Sequence, residues 1–341
     1  MSKGDRVRLP VMARASNTQK GYFRHAALGP LPLEGDGFRM RAMTMDDVSL
    51  CRSVLAAEKV DPDLLPGQEY LFRVLATGTG FGVIFERQEL SQQPGVVSFG
   101  CTAFVDPKWA EVAKQMAGAE RLLDAVRELD QSGPGTRSVA DVAKENATEG
   151  LVGVLFGGRA DQHLSQEERR AVTHLMTRTV LTAHAGYNFR SLLWPVASPE
   201  LAVHLANGGG PPFLGGTSGT LPKLFGIDRT DAEQTRGSLF YSMFDYKSPV
   251  IYLSEVHREL VWFALQAYPD EQIAEITGIT YAAVKKRWAS LFDCVADVRP
   301  GLLPAAVSNG VRGPAKRNAV LEYIRLHPEE LRPNQKPNSG S

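Results

Sequence analysis

The chain has 341 residues, 43% of them hydrophobic, with 38 Lys and Arg balanced by 38 Asp and Glu. That length admits two domains, each with its own core, and zero net charge leaves no whole-molecule field to draw it to nucleic acid or a membrane surface. No apolar run approaches the ~20 residues that span a bilayer, the N-terminus lacks the apolar core of a signal peptide, and Cys51, Cys101 and Cys294 show no CxxC or metal spacing, so a cytoplasmic protein with reduced thiols is expected.

Residues 1–36 are rich in Arg, Lys, Gly and Pro without any period and read as a flexible arm. From Phe38 the pattern becomes regular. Phe38 to Met43 alternates and predicts a strand; Thr44-Met-Asp-Asp47 is a capping box that predicts a helix to about Glu58. A second helix is expected over Gln68 to Thr77. Phe81 to Arg87 and Gly95 to Val105 are β-rich and separated by a polar turn-prone stretch, which predicts a hairpin. Trp109 to Leu129 reads as helix and Gln131 to Arg137 as loop. Gly150 to Gly157 predicts a buried strand. Ser165-Gln-Glu-Glu168 is a second capping box, opening a long helix that runs to about His184 and stops at Gly186. Phe189 to Val196 is a further strand, and Ser198 caps a short helix to about Ala206.

This order of strand, helices, strand pair, helix, strand, long helix, strand and helix defines an α+β domain with a mixed sheet over residues 37–206. It resembles the Gcn5-related N-acetyltransferase (GNAT) fold. The resemblance implies a loop of type Q/R-x-x-G-x-G/A whose backbone N–H groups hold the acetyl-CoA pyrophosphate at a helix N-terminus. The matching junction, Gly157 to Ser165, has two glycines and one arginine without that spacing, and Asp161 adds a negative charge where phosphates would lie. Weak or no coenzyme A binding is therefore expected, with no acetyl transfer, no catalytic residue, no cofactor and no metal. His174 and His184 point about 80° apart round one helix and form no metal pair. Walker, Rossmann, HExxH and serine-elbow patterns are absent. The domain is expected to sense a small-molecule ligand or protein partner and to dimerise.

Asn207 to Gly219 (NGGGPPFLGGTSG) is too rich in Gly and Pro for a regular element, so residues 207–250 read as a linker region. Within it, Leu239 to Phe244 is apolar enough to dock on the first domain or to form a dimer contact.

Residues 251–331 predict an all-α domain. Ser254 to Ala267 reads as a helix with Val256, Leu260, Phe263, Ala264 and Ala267 on its apolar stripe. Pro269 and Asp270 open a short helix, with Asp270 as its N-cap. Gly278 provides the positive φ needed to leave that helix, and Thr280 caps the next. In that helix Val284, Trp288 and Leu291 recur at i, i+4, i+7 and turn inward. Tyr281, Ala282, Lys285, Lys286 and Ala289 point away. Between Tyr281 and Arg317 seven basic residues stand against two acidic ones, a local excess of five. A further helix is expected from about Pro314, with Val320, Leu321 and Ile324 inward, ending at His327-Pro328. Residues 332–341 read as a disordered tail.

This arrangement resembles the DNA-binding domain of LuxR-type regulators. The residues that carry the resemblance are Leu253-Ser254, Glu259-Leu260, Gln272-Ile273-Ala274, Gly278-Ile279-Thr280 and Val284-Lys285-Lys286. The chain departs from that family by running about fifty residues past Leu291. The resemblance implies a helix-turn-helix whose last helix, Thr280 to Leu291, enters the major groove of duplex DNA. Thr280, Tyr281 and Ala282 would approach bases, Lys285 and Lys286 would meet guanine edges or phosphates, and Arg287 a phosphate. Arg312, Lys316 and Arg317 crowd a helix N-terminus, where cations oppose the dipole, and are expected to clamp a phosphate. The sequence thus reads as a homodimeric transcriptional regulator. The rivals are a GNAT-like N-acyltransferase with an appended helical domain, and a protein-interaction adaptor.

Overall fold

The structure is a computed structural model that describes residues 34–35, 37–44, 46–57, 63, 65–87, 95–115, 124–129, 137–159, 164–196, 223–304 and 313–336. A seven-stranded sheet organises the first part of the chain. Its strands are β1 (Glu34–Gly35), β2 (Phe38–Ala42), β3 (Gly80–Arg87), β4 (Val96–Val105), β5 (Leu151–Arg159), β6 (Phe189–Val196) and β7 (Lys223–Asp228), lying side by side in chain order. Every neighbouring pair is antiparallel except β5 and β6. A parallel pair needs a long crossover. Helix α5 (Gln166–His184) lies between these two strands in the chain and provides it.

The near-continuous apolar runs of the middle strands follow from burial on both faces. On one face Phe99, Cys101, Ala103 and Val105 of β4 share a core with Val48 and Leu55 of α1 (Asp47–Ala57), Leu71 and Val74 of α2 (Gln68–Thr77) and Ala110 and Ala113 of α3 (Pro107–Gln115). On the other, Phe104, Leu155 and Leu192 pack with Val172, Leu175 and Ala183 of α5 and Val142 of α4 (Val139–Ala147). The strand positions read from alternation and the boundaries of α2 and α5 agree with these elements. The predicted helix over Trp109 to Leu129 is described as α3 and a helical segment 124–129; residues 116–123 lie outside the described residues.

Three departures from the sequence reading have physical causes. Helix α4 lies where the sequence analysis assigns no element, although Ser138 and Asp141 form the reciprocal capping box that marks its start. The span read as linker contains β7, α6 (Arg229–Gln234) and a 3-10 turn, Leu239–Met243. The Gly/Pro-rich stretch before Lys223 masks the onset of a strand that closes the sheet against β6. The 3-10 turn does dock on the first domain, where Met243 and Phe244 join the α5-side core. The third departure is the tail: Arg332, read as its first disordered residue, is buried, because its guanidinium is held by carbonyls about 150 residues earlier. Residues 1–33, the helix predicted after Ser198, the stretch 207–222, Asp161, Arg312 and residues 337–341 lie outside the described residues.

The C-terminal part is helical: α7 (Glu255–Leu265), α8 (Asp270–Thr277), α9 (Tyr281–Val298), α10 (Gly313–Leu326) and a 3-10 turn, Pro328–Leu331. Leu260, Phe263, Ile273, Val284, Trp288, Leu291, Val320 and Ile324 form one core. Gly278 leaves α8 at φ 68°, the left-handed conformation expected there. Val256, assigned to the apolar stripe of α7, is exposed, and Val261 and Trp262 are buried in its place. Among the described residues no helix is long and apolar enough to cross a membrane.

Candidate functional site

Two places could carry function: the start of α9 and the gap between β5 and β6. At the first, the Thr280 hydroxyl accepts from the Ala283 N–H at 3.1 Å and fixes the helix start. Val284, Trp288, Leu291 and Val295 turn inward, while Tyr281, Ala282, Lys285 and Lys286 are exposed. Two opposed faces on one helix are thus built as the spacing predicts.

The charges are not arranged as expected. Pro269, not Asp270, is the N-cap of α8, and no side chain caps it. Asp270 is instead buried, and its carboxylate joins three helices. Oδ1 accepts from Trp288 Nε1 at 3.2 Å and Arg317 Nη1 at 2.8 Å. Oδ2 pairs with Lys285 Nζ at 2.8 Å. Burial alone would raise the Asp270 carboxyl; the Lys285 hydrogen bond, the Arg317 charge and the Trp288 hydrogen bond outweigh it and hold the group below the usual aspartate range.

Arg317 is therefore not placed as a phosphate clamp. The anion that its helix start calls for is Asp270, and its guanidinium also covers the Trp288 ring at 4.9 Å. Arg287, read as a phosphate contact, pairs with Glu259 at 3.1 Å. Lys316 lies 5.9 Å from the Phe292 ring. Lys285 remains half exposed, over the Tyr281 ring at 5.0 Å. Lys286 is exposed and has no ion-pair partner among the described residues. Sequence reasoning missed Asp270 and Glu259 as partners, because a Pro-Asp pair before a helix reads as a cap whatever lies elsewhere in the chain.

At the second place the two parallel strands pair only briefly. Leu151 lies opposite Phe189, Val152 opposite Ser191, Gly153 opposite Leu192 and Val154 opposite Leu193. Beyond that point β5 continues against β4 alone, through Arg159 opposite Ser98. β6 continues against β7 alone, through Val196 opposite Lys223. The strands part, and the facing edges of 155–159 and 194–196 have no strand partner among the described residues.

Helix α5 begins just after β5, but its start is self-capped. The Glu168 N–H donates to Ser165 Oγ at 3.2 Å, and the Ser165 N–H donates to Glu168 Oε2 at 2.7 Å. Arg87 pairs with the same carboxylate at 2.7 Å. Two acidic side chains, Glu167 and Glu168, thus occupy the turn where a pyrophosphate would seek N–H donors.

The histidines of α5 do not form a site. His174 is exposed. His184 is fully enclosed by Phe81, Phe189 and its own helix. Its Nδ1 meets the Val180 carbonyl at 2.6 Å, and a carbonyl can only accept, so Nδ1 carries the proton. Nε2 then accepts from the Thr102 hydroxyl at 2.9 Å. Burial pushes its pKa down to about 4, so it is a neutral core residue at physiological pH. Trp194 packs edge-on against Phe240 at 5.8 Å. Among the described residues no group of three or more His, Cys, Asp or Glu could hold a metal ion.

No protein-family model matches the chain, and no curated protein matches it. Among solved structures, an uncharacterised protein (bh2621) from Bacillus halodurans aligns at TM-score 0.34 and 12% identity, covering 64% of this chain and 99% of that one. The ribosomal-protein-S5-alanine acetyltransferase from Vibrio fischeri aligns at TM-score 0.31 and 9% identity, covering 59% of this chain and 98% of that one. Superpositions this loose carry no argument about activity. The class defined by the fold itself is an α+β domain with a mixed sheet followed by a helical domain.

Proposed function

We propose that the α+β domain is of GNAT type and takes an acyl thioester of the coenzyme A class between β5 and β6. The observation that carries this reading is the parting of the parallel strands after Val154 and Leu193. An extended arm bearing amide groups, set into that gap, would meet strand edges on both sides and complete hydrogen bonds as an added strand does. The self-capped start of α5 gives little to a pyrophosphate, so the arm rather than the phosphates would supply most of the affinity. The test is calorimetric titration with acetyl-CoA and with acetyl-pantetheine. Comparable affinities support the reading; binding of neither rejects it. Release of free thiol only when a peptide amine is added would make the domain an acyltransferase. Binding without release would make it a sensor.

A second reading rests on the start of α9, where Tyr281, Ala282, Lys285 and Lys286 are exposed while Trp288 is buried. In it the helical domain docks on duplex DNA as part of a homodimeric regulator, with Thr280, Tyr281 and Ala282 near bases and the two lysines on phosphates or guanine edges. Lys286→Glu should abolish retention of duplex DNA at low salt without moving the thermal midpoint. Unchanged retention would exclude this face. An adaptor that binds an acidic protein would not retain duplex DNA at all.

A further inference from the structure

Among the described residues the chain passes between the two domains at two places. Phe244 belongs to the core beneath α5, and Ile251 and Leu253 belong to the helical core. The first crossing therefore lies between 244 and 251. The second is abrupt. Leu331 is fully buried in the helical core, and the next residue, Arg332, is buried against the α+β domain. Arg332 Nε donates to the Ala185 carbonyl at 2.8 Å, and Nη2 to the Thr182 carbonyl at 3.2 Å. Its guanidinium lies 4.6 Å over the Tyr187 ring. One residue on, the Pro333 carbonyl accepts from Asn146 Nδ2 at 2.8 Å.

Gly186 makes room for this segment. A Cβ there would lie 2.4 Å from the Glu329 nitrogen, and its φ of 80° is one that side chains rarely adopt. The C-terminal end of α5 is thus shaped to the segment that crosses it.

The second crossing also grips the first. The Glu330 carboxylate is buried and accepts from three successive backbone N–H groups: Val250 at 2.8 Å, Ile251 at 3.0 Å and Tyr252 at 3.2 Å. The Tyr323 hydroxyl donates to the same carboxylate at 3.1 Å. Tyr252 holds φ 55°, a non-glycine residue in the left-handed region. That conformation helps to turn consecutive N–H groups toward one point and so makes an anion nest. Asn334 then donates to the Tyr246 hydroxyl at 3.0 Å, tying the crossings together a second time.

We propose that residues 327–334 form a latch that sets the helical domain in one orientation on the α+β domain, and that loosening it frees the helical domain as a unit. The contacts argue for a joint rather than a shared core. They are hydrogen bonds in which Arg332 donates to backbone carbonyls, Glu330 accepts from backbone N–H groups, and two asparagine amides add to these; such bonds are directional and hold an angle. Each domain has its own apolar core on its own side of the joint, and a polar joint between two cores leaves relative motion as the default once the polar contacts go.

The test uses the full chain with Arg332→Ala and, separately, Glu330→Gln. The glutamine keeps the shape of the side chain but cannot hold the N–H groups as a carboxylate does. Solution scattering and amide exchange are read together. The expected result is a larger radius of gyration and lost protection at Ile251 and Tyr252, with protection in β3 to β5 and in α9 unchanged. Should Arg332→Ala fail to fold, Glu330→Gln decides. An unchanged radius of gyration in the folded variants would overturn the latch even if protection at Ile251 and Tyr252 were lost, since Ile251 shares the helical core with Leu331 and both N–H groups are held by Glu330 beside it. Unfolding of both variants as whole chains would overturn it too, by placing the segment in a single common core.

Discussion

Two helices of this protein begin on a buried aspartate held by an arginine, and they hold it differently. Asp47, at the start of α1, receives the Thr44 N–H at 2.7 Å and a two-pronged contact from Arg41, both prongs at 2.7 Å. All its partners lie within six residues. Asp270, at the start of α8, is held by Trp288 and Arg317, eighteen and forty-seven residues further on. Burial would raise both carboxyls, and hydrogen bonds from the partners lower both. The chemistry is the same, but Asp47 closes a local turn, whereas Asp270 fixes how α8, α9 and α10 meet.

The comparison breaks if the two are equally costly to remove. Asp270→Ala takes the carboxylate from Arg317 and the acceptor from the buried Trp288 indole N–H. Because Arg317 is a quarter exposed and keeps the Tyr268 carbonyl at 3.3 Å, the cost falls at the lower end of the about 3–5 kcal/mol for breaking a buried charge pair. Urea denaturation should show the helical domain unfolding at markedly lower denaturant, with the sheet domain unmoved.

The sheet domain has its own acid sensitivity, centred on His184. His184 takes up a proton at about 4 when folded and at the ordinary value of 6.5 when unfolded. Between those values the unfolded chain binds the extra proton. The stability from a neutral His184 is therefore fully present above pH 6.5 and lost as pH falls toward 4. The loss amounts to about 3 kcal/mol at one pKa unit per ~1.4 kcal/mol. The Asp270 contribution is lost only at lower pH, below the ordinary aspartate value of about 4. Amide exchange across this range should show the strands around His184 weakening. His184→Gln, which titrates nothing, should flatten that slope.

Asp47→Ala should cost less, about 1–2 kcal/mol, as for a lost N-terminal cap. Arg41 keeps the Glu86 carboxylate as a partner, so its charge is not left unpaired. Exchange should rise at the start of α1 while the global midpoint falls modestly. A cost equal to that of Asp270→Ala would mean that Arg41 and Glu86, paired at 2.7 Å, depend on Asp47 for their placement.

The same contrast explains what the sequence discloses. Thr44 with Asp47 and Ser165 with Glu168 are three residues apart, and their partnership is set by helix geometry alone, so both helix starts are legible. Ser138 with Asp141 carries the same mark beside a glycine-rich stretch that reads as loop. The inward face of α9 is equally legible, since period 3.6 needs no knowledge of what it packs on. The partner of Asp270 is not, because nothing local distinguishes an aspartate that caps from one that receives a tryptophan from another helix. Arg332 before Pro333 and Asn334 reads as solvated tail, and its burial depends on carbonyls about 150 residues earlier. The gap between β5 and β6 is illegible for a related reason: where two strands stop pairing leaves no mark on the sequence of either.

The smallest effect tests the outer edge of the Asp270 cluster. Lys285 shares that carboxylate with Arg317, but more than half of its side chain is in water. Its attraction is screened, and holding a long flexible chain costs entropy, so Lys285→Ala should change stability by at most about 0.5 kcal/mol. Salt should weaken even that, since an exposed pair is screened over roughly 10 Å at 0.1 M. Arg317 and Trp288 would still hold Asp270, and α9 would keep its orientation. If Lys285→Ala instead cost as much as Asp270→Ala, the lysine would be a member of the core, and its exposed face would no longer be free to meet a partner. A near-silent substitution leaves Lys285 as a surface cation whose carboxylate can be exchanged for another anion.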